Sequence, residues 1–272
     1  MTFVEAAVLG LVQGITEFLP VSSSAHLRII PALLGWSDPG AAFTAVVQLG
    51  TLAAVIGFFL RELLAMITAA LAAARDPARR DDPNARHLVY LIVGTIPLGL
   101  AGVLLKHAIE GSFRSLWVVA TSMIVVALAL AFVERTARHS RSYESITMRD
   151  VIIIGCAQAL ALVPGVSRSG ITLLAAMALG LRRDAAARFS FLLSVPAVAA
   201  AAVFEMKHVL HSHDVGSSAL IIALVVAFVS GYASIAWLLR FLRTRTTMPF
   251  VFYRVALGIL ILALLLTGRL AA

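Results

Sequence analysis

The sequence predicts an all-α polytopic membrane protein with six transmembrane helices and two re-entrant helix–loop–helix pairs, arranged as an inverted-topology repeat. Three observations carry that expectation. Of 272 residues, 61% are hydrophobic and 13% charged, with a mean hydropathy of +0.97. Ordinary soluble domains carry roughly 25% charged residues, so a soluble globular fold is excluded. Apolar runs recur along the whole chain, several of them near the ~20 residues a helix needs to cross a bilayer. The shorter runs come in two pairs, each split by a polar, proline-containing break.

In chain order, the first run covers about 3–18. The preceding Met1-Thr2-Phe3-Val4-Glu5 lacks the basic region of a signal peptide, so this run is expected to stay in the mature protein. With the run at 25–34 it forms the first short pair, split by Pro20-Val21-Ser22-Ser23-Ser24. The runs at 42–60, 88–105 and 115–133 span, or tilt to fit. The second short pair, 151–163 and 171–181, is split by Pro164-Gly165-Val166-Ser167-Arg168-Ser169-Gly170. A run at 189–204, extended upstream by Ala185-Ala186-Ala187, and runs at 218–239 and 250–267 complete the six spans. Non-helical backbone at membrane depth survives only inside protein or along a wet cavity, so each short pair reads as re-entrant. Pro97 and Pro196 read as helix kinks. Cys156 reads as a small buried hydrophobe. His208, His211, His213 and Asp214, beside Lys207, read as a polar outer loop rather than a metal cluster.

The net charge of +8 raises the question of a polyanion, but the arginines gather in short segments between apolar runs, where the positive-inside bias explains them. No nucleic acid is expected. Four connections should be cytoplasmic: Arg61 to Arg86, Arg135 to Arg149, Arg182 to Arg188, and Arg240 to Arg245. With six spans, that holds only if 141–185 enters and leaves on the cytoplasmic side and 1–35 on the outer side. The two pairs then have opposite orientation, as in an inverted repeat within one membrane domain, with halves of about 1–136 and 145–272. Pro20 and Pro164 are 144 residues apart, Phe43 and Phe189 146 apart, in the same segment order. Both termini are expected outside.

The breaks carry the chemistry. Gln13 and Glu17 are four apart and share a helix face; Pro20 ends that helix, and the serines cap the next. Ser23 and His26, three apart, share a face if the second helix starts near Ser22. An ionisable residue inside a membrane is costly, which makes Glu17 a functional candidate. Arg168 sits in the middle of the second break, where a forked guanidinium and a helix start rich in Ser, Thr and Gly suit an oxyanion, above all phosphate. Pairing of Arg168 with Glu17 is compatible with that role. A nucleophile, an acid or base and charge stabilisation would all be available for phosphate-ester or anhydride hydrolysis. With no HExxH and no carboxylate cage, any metal would be held by Glu17 and substrate oxygens, in the manner of Mg²⁺.

Gln13-Gly14-Ile15-Thr16-Glu17-Phe18-Leu19-Pro20-Val21-Ser22-Ser23-Ser24-Ala25-His26 and Pro164-Gly165-Val166-Ser167-Arg168-Ser169-Gly170-Ile171-Thr172 resemble the (E/Q)xxxE and PGxSRSxxT patterns of the bacterial undecaprenyl-diphosphate phosphatases associated with bacitracin resistance. The resemblance covers essentially the whole chain. It implies hydrolysis of undecaprenyl diphosphate to undecaprenyl phosphate and inorganic phosphate in the bacterial plasma (inner) membrane, with the active site on the outer side. That reaction recycles the lipid carrier for cell-wall polymers and confers bacitracin resistance. It also implies a divalent cation, magnesium or calcium. Carried over, Glu17 would ligate the metal or act in acid/base chemistry, and Ser23 and His26 would be nucleophile and base, with His26 as nucleophile left open. Arg168, Ser167, Ser169 and Thr172 would bind the diphosphate, with Gln13 as a positioning residue and Ser22, Ser24 and Gly165 completing the substrate contacts. Gln13 stands at the family's first acidic position, which argues against a two-carboxylate metal site; Ser24-Ala25 stands where many members have Thr-Gly. Expected partners are the polyisoprenyl diphosphate and membrane lipids, with self-association left open. Because inverted repeats with broken helices also build transporters, the alternative is a secondary transporter or lipid flippase.

Overall fold

The computed structural model describes residues 1–37, 40–105, 115–209 and 217–270. Among them are eleven α-helices and no strand: α1 (Phe3–Phe18), α2 (Ser23–Leu34), α3 (Gly40–Phe58), α4 (Leu60–Arg75), α5 (Pro83–Leu104), α6 (Leu116–Thr136), α7 (Met148–Ala159), α8 (Arg168–Ala178), α9 (Arg183–Val209), α10 (Ser217–Leu242) and α11 (Met248–Leu266). Five of them, α5, α6, α9, α10 and α11, are long and apolar enough to cross a membrane; α3 and α4 join them as one bent pair. The chain is a multi-pass membrane protein. The loop carrying His211, His213 and Asp214 lies outside the described residues, as does the side chain of His208.

Local chemistry sets the helix starts. Thr2 caps α1, its hydroxyl accepting from the Glu5 amide at 3.2 Å while the Glu5 carboxylate accepts from the Thr2 amide at 2.9 Å. Thr147 and Asp150 form the same box at the start of α7. The break after α1 follows from Pro20, which supplies no amide donor and cannot continue the helix. One element escaped the sequence reading. The run 42–60 was expected to lead into a cytoplasmic connection from Arg61 to Arg86, but after a bend of 74° at Phe59 the chain forms α4. Arg61 and Glu62 interrupt the apolar run there, yet Leu63, Met66 and Ala73 recur at helical spacing and are buried. Cys156 is exposed on α7 rather than buried.

Packing joins the two halves of the chain. α1 packs on α10 as α7 packs on α5, α3 packs on α10 as α9 packs on α5, and α3 meets α9 while α6 meets α11. Two of these crossings depend on small residues, because a Cβ on Gly10 or on Gly155 would lie 2.5 Å from the carbonyl oxygen of Ala223 or of Gly94. Buried carboxylates fasten the arginine-rich end. Glu134 of α6 accepts from Arg183 Nε at 2.8 Å, from the Thr247 hydroxyl at 2.7 Å and from the Thr247 amide at 3.1 Å. Arg141 donates to Asp150 at 2.6 and 3.0 Å and to the Leu179 carbonyl at 2.9 Å, which ties the start of α7 to the end of α8. Arg61, Glu144, Arg182 and Arg240 line one cavity, which brings the four arginine-rich connections to the same end of the bundle.

The glycine crossings yield a test. Gly155→Ala is expected to cost about 1–3 kcal/mol through overpacking and to lower the thermal unfolding midpoint in detergent. Gly99→Ala, where an added Cβ meets nothing within 4 Å, should leave the midpoint unchanged or raise it.

Candidate active site

The two polar breaks meet, and backbone conformation shapes both. Ser22 and Ser167 precede α2 and α8 with φ of 77° and 70°, in a region that non-glycine residues rarely occupy. Each such residue costs about 1–3 kcal/mol and persists only where its surroundings hold it. The surroundings match: the Ser22 and Ser24 hydroxyls lie 3.2 Å apart, and those of Ser167 and Ser169 3.1 Å apart.

What holds the breaks together is Arg254 of α11, fully buried. It donates to the carbonyls of Pro20 at 3.1 Å, Gly165 at 2.9 Å, Val166 at 3.1 Å and Met123 at 3.2 Å. Ser169 adds a bond to the Leu19 carbonyl at 3.0 Å, and Ser122 of α6 donates to the Pro164 carbonyl at 2.6 Å. Carbonyls at the ends of broken helices lack intrahelical donors, and these side chains supply them.

At the centre is Glu17, buried near the end of α1. Its Oε1 accepts from Arg168 Nη2, and its Oε2 accepts from the Ser23 hydroxyl at 2.6 Å and from Gln13 Nε2 at 3.0 Å. Two buried atoms beside it have no hydrogen-bond partner among the described residues, Arg168 Nη1 and Gln13 Oε1. Buried polar groups are nearly always satisfied, so such orphans call for a ligand or water. Ser23 is half-buried and Ser24 exposed, which opens the site on the α2 side.

Several expected contacts are redistributed. Ser23 and His26 do not pair. The Ser23 hydroxyl turns to Glu17, while His26 Nδ1 lies 2.6 Å from the Ser22 carbonyl and Nε2 2.5 Å from the Tyr253 hydroxyl. A carbonyl only accepts, so Nδ1 carries the proton and Nε2 of the neutral ring accepts from Tyr253. His26 also stacks on Tyr253, with ring centroids 5.5 Å apart. Gly165, expected among the substrate contacts, faces α6 instead; a Cβ there would lie 2.3 Å from the Val119 carbonyl oxygen. The Thr172 hydroxyl donates to the Arg168 carbonyl at 2.8 Å and meets the Ser190 hydroxyl at 2.6 Å, and Ser167 caps α8 by accepting from the Gly170 amide at 3.1 Å. These groups build the loops.

Among the described residues Glu17 is the carboxylate of the junction; it accepts from Arg168 on Oε1 and from Ser23 and Gln13 on Oε2. This leaves a lone pair on Oε1, so these residues would hold a divalent cation only together with substrate oxygens. No cluster of three His, Cys, Asp or Glu side chains able to hold a metal occurs among the described residues.

Sequence reasoning missed Arg254 and Tyr253, both inside the run 250–267. The signal was present, since an arginine in a membrane span is as unusual as the charges at 17 and 168.

Fold and junction together define a multi-pass membrane protein in which a hydroxyl, a carboxylate and a guanidinium converge where two broken helix pairs meet. The chain belongs to the bacitracin resistance protein BacA family, whose model matches residues 6–260. It is 54% identical over 275 residues to an undecaprenyl-diphosphatase of Myxococcus xanthus (strain DK1622), covering 100% of this chain and 92% of that protein. Identity is 51% to an undecaprenyl-diphosphatase of Nocardioides sp. (strain ATCC BAA-499 / JS614), over 99% of each chain. To undecaprenyl-diphosphatase 2 of Streptomyces coelicolor it is 48%, over 100% of this chain and 97% of that one.

Arg254→Met removes the donor shared by three loop carbonyls, those of Pro20, Gly165 and Val166, and by the Met123 carbonyl of α6. Its expected cost is at least about 3 kcal/mol, at 1–3 kcal/mol for each buried group left unsatisfied. A lower unfolding midpoint in detergent, compared with an unchanged midpoint for the exposed Arg269→Met, checks it.

Proposed function

We propose that this protein hydrolyses undecaprenyl diphosphate to undecaprenyl phosphate and inorganic phosphate, and that the junction of the two breaks is its active site. The observation that carries this reading is the hydrogen bond from Ser23 to a Glu17 carboxylate held by Arg168. A serine hydroxyl is a weak nucleophile until a base takes its proton, and Glu17 Oε2 stands at 2.6 Å for that purpose. Ser23 Oγ attacks the terminal phosphorus, and the bond from that phosphorus to the bridging oxygen breaks. Undecaprenyl phosphate leaves with the electron pair. Glu17 passes the serine proton to the leaving undecaprenyl phosphate. Water then attacks the phosphoserine, the bond from phosphorus to Ser23 Oγ breaks, the proton from water passes through Glu17 to Ser23 Oγ, and inorganic phosphate is released. Arg168 acts with both ends of its fork: Nη2 fixes Glu17, and the free Nη1 donates to the phosphoryl oxygens as charge moves between them.

His26 is a positioning residue. Its bond to the Ser22 carbonyl fixes the strained residue immediately before Ser23, and so the direction of the Ser23 hydroxyl. The cation inferred from the sequence, magnesium or calcium, is proposed only as a companion of the diphosphate. The residue chemistry stands without it.

The fold is read as one membrane unit, residues 1–272, built from inverted repeats of about 1–136 and 145–272, with α1–α2 and α7–α8 as re-entrant pairs. Correspondences at a constant offset of 145 residues support the repeat: the caps Thr2 and Thr147, the close-packed Gly10 and Gly155, and the buried Gln13 and Gln158. The positive-φ Ser22 and Ser167 follow the same offset. From the Arg141 clamp near the start of α7, a helix of twelve residues rises roughly 18 Å at 1.5 Å per residue. That is about half the thickness of a bilayer and suits a break near its middle. The arginine-rich end is assigned to the cytoplasm of a bacterial inner membrane, and substrate enters from the outer side with its tail along the membrane-facing surface. In the cell this reaction recycles the lipid carrier for wall polymers and supports bacitracin resistance.

Phosphate release from undecaprenyl diphosphate, assayed in detergent with and without chelator, tests the reading. Ser23→Ala should fall below detection and Glu17→Gln at least about 10²-fold, the low end for general acid–base catalysis, while Arg168→Ala should raise KM. Near-wild-type release from Ser23→Ala would overturn the nucleophile. Movement of substrate in liposomes without any phosphate release would favour the transporter instead.

A further inference from the structure

A second polar site lies at the arginine-rich end, apart from the catalytic junction. Where α3 turns into α4, a cavity of about 1130 Å³ opens, lined by five arginines and three acidic side chains, an excess of two positive charges. Pairing within it is uneven. Arg182 is bonded to Asp184 at 3.0 Å and Arg188 to Glu62 at 2.9 Å, but Arg61, Arg240 and Arg243 have no partner among the described residues. The buried Tyr143 hydroxyl, also in the lining, faces the Glu62 carboxylate. The remaining wall is apolar and continues onto the outer surface of the bundle through Leu60 and Tyr232, which are 47% and 43% exposed.

We propose that this cavity binds the phosphate headgroup of an anionic membrane lipid. The guanidiniums of Arg61, Arg240 and Arg243, unpaired among the described residues, offer forked donors that match phosphate oxygens. Basic pockets between membrane helices suit anionic headgroups, and the apolar margin at Leu60 and Tyr232 receives the chain that such a head carries. None of the groups at the Glu17 junction lines this cavity. The two sites are nevertheless linked along α9, where Arg188 faces the cavity and Ser190 bonds Thr172 of α8 at 2.6 Å. A free phosphate ion shares the head's chemistry and lacks the chain.

The test is lipid retention by the purified full-length chain, read by native mass spectrometry across separate titrations with phosphatidic acid, phosphatidylcholine and inorganic phosphate. Phosphatidic acid should be retained, at least tenfold more weakly by the Arg240→Gln/Arg243→Gln double variant, and the other two should not be retained. Retention must persist in Arg168→Ala, since that guanidinium serves the other site; its loss there would overturn the assignment to this cavity. Equal retention of phosphatidylcholine, or unchanged retention by the double variant, would overturn the headgroup site. Inorganic phosphate bound as tightly as phosphatidic acid would overturn the lipid. Should the double variant fail to fold, Ala236→Trp, which fills the cavity from α10, must lose phosphatidic acid with the arginines intact, and undiminished retention would overturn the proposal equally.

Discussion

The structure depends on one buried carboxylate. Glu17 lies among apolar helices, where an unpaired charge is prohibitively costly and a paired one is retained only if its remaining lone pairs are also satisfied. It meets that condition by reaching across the molecule to Arg168, 151 residues away, and by accepting from Gln13 and Ser23 on its other oxygen. The pair therefore does two things at once. It ties the first break to the second, and it leaves an acceptor against the half-buried Ser23 hydroxyl.

That pair has value only if the loops carrying it keep their shape. Ser22 and Ser167 are strained, and the carbonyls beside them have lost their helical donors. Arg254 answers both losses through the carbonyls of Pro20, Gly165 and Val166, with the whole side chain out of solvent. A charge is used here as a multiple donor rather than as a charge: among the described residues no acid pairs with it, and its hydrogen-bond partners are backbone oxygens. The Glu17–Arg168 pair and the staple are thus distinct devices, one set by charge and the other by hydrogen-bond supply.

Much of this was legible in the residues. The apolar run at 3–18 became Phe3–Phe18 and that at 250–267 became Met248–Leu266, because hydropathy and proline punctuation mark helix ends directly. Glu17 and Arg168 stood out because charges are rare in apolar segments. The Ser23 and His26 pairing did not follow from spacing. Ser23 is the first residue of its helix and hangs from a left-handed Ser22, so its hydroxyl turns back to α1 while His26 one turn on faces α11. Arg254 was hidden by averaging, since one arginine barely lowers the hydropathy of a nineteen-residue run. α4 was hidden by the opposite effect, two charges at its start breaking a run that continues at helical spacing.

The central claim is that Glu17 activates Ser23 for attack on phosphorus. Its most direct test is acid quenching of the protein during turnover of undecaprenyl diphosphate labelled in the terminal phosphate, followed by mapping of the labelled peptide. Label on Ser23 in the wild type, absent from Glu17→Gln, is the predicted result. Label on His26, or undiminished labelling of Ser23 in Glu17→Gln, would contradict it.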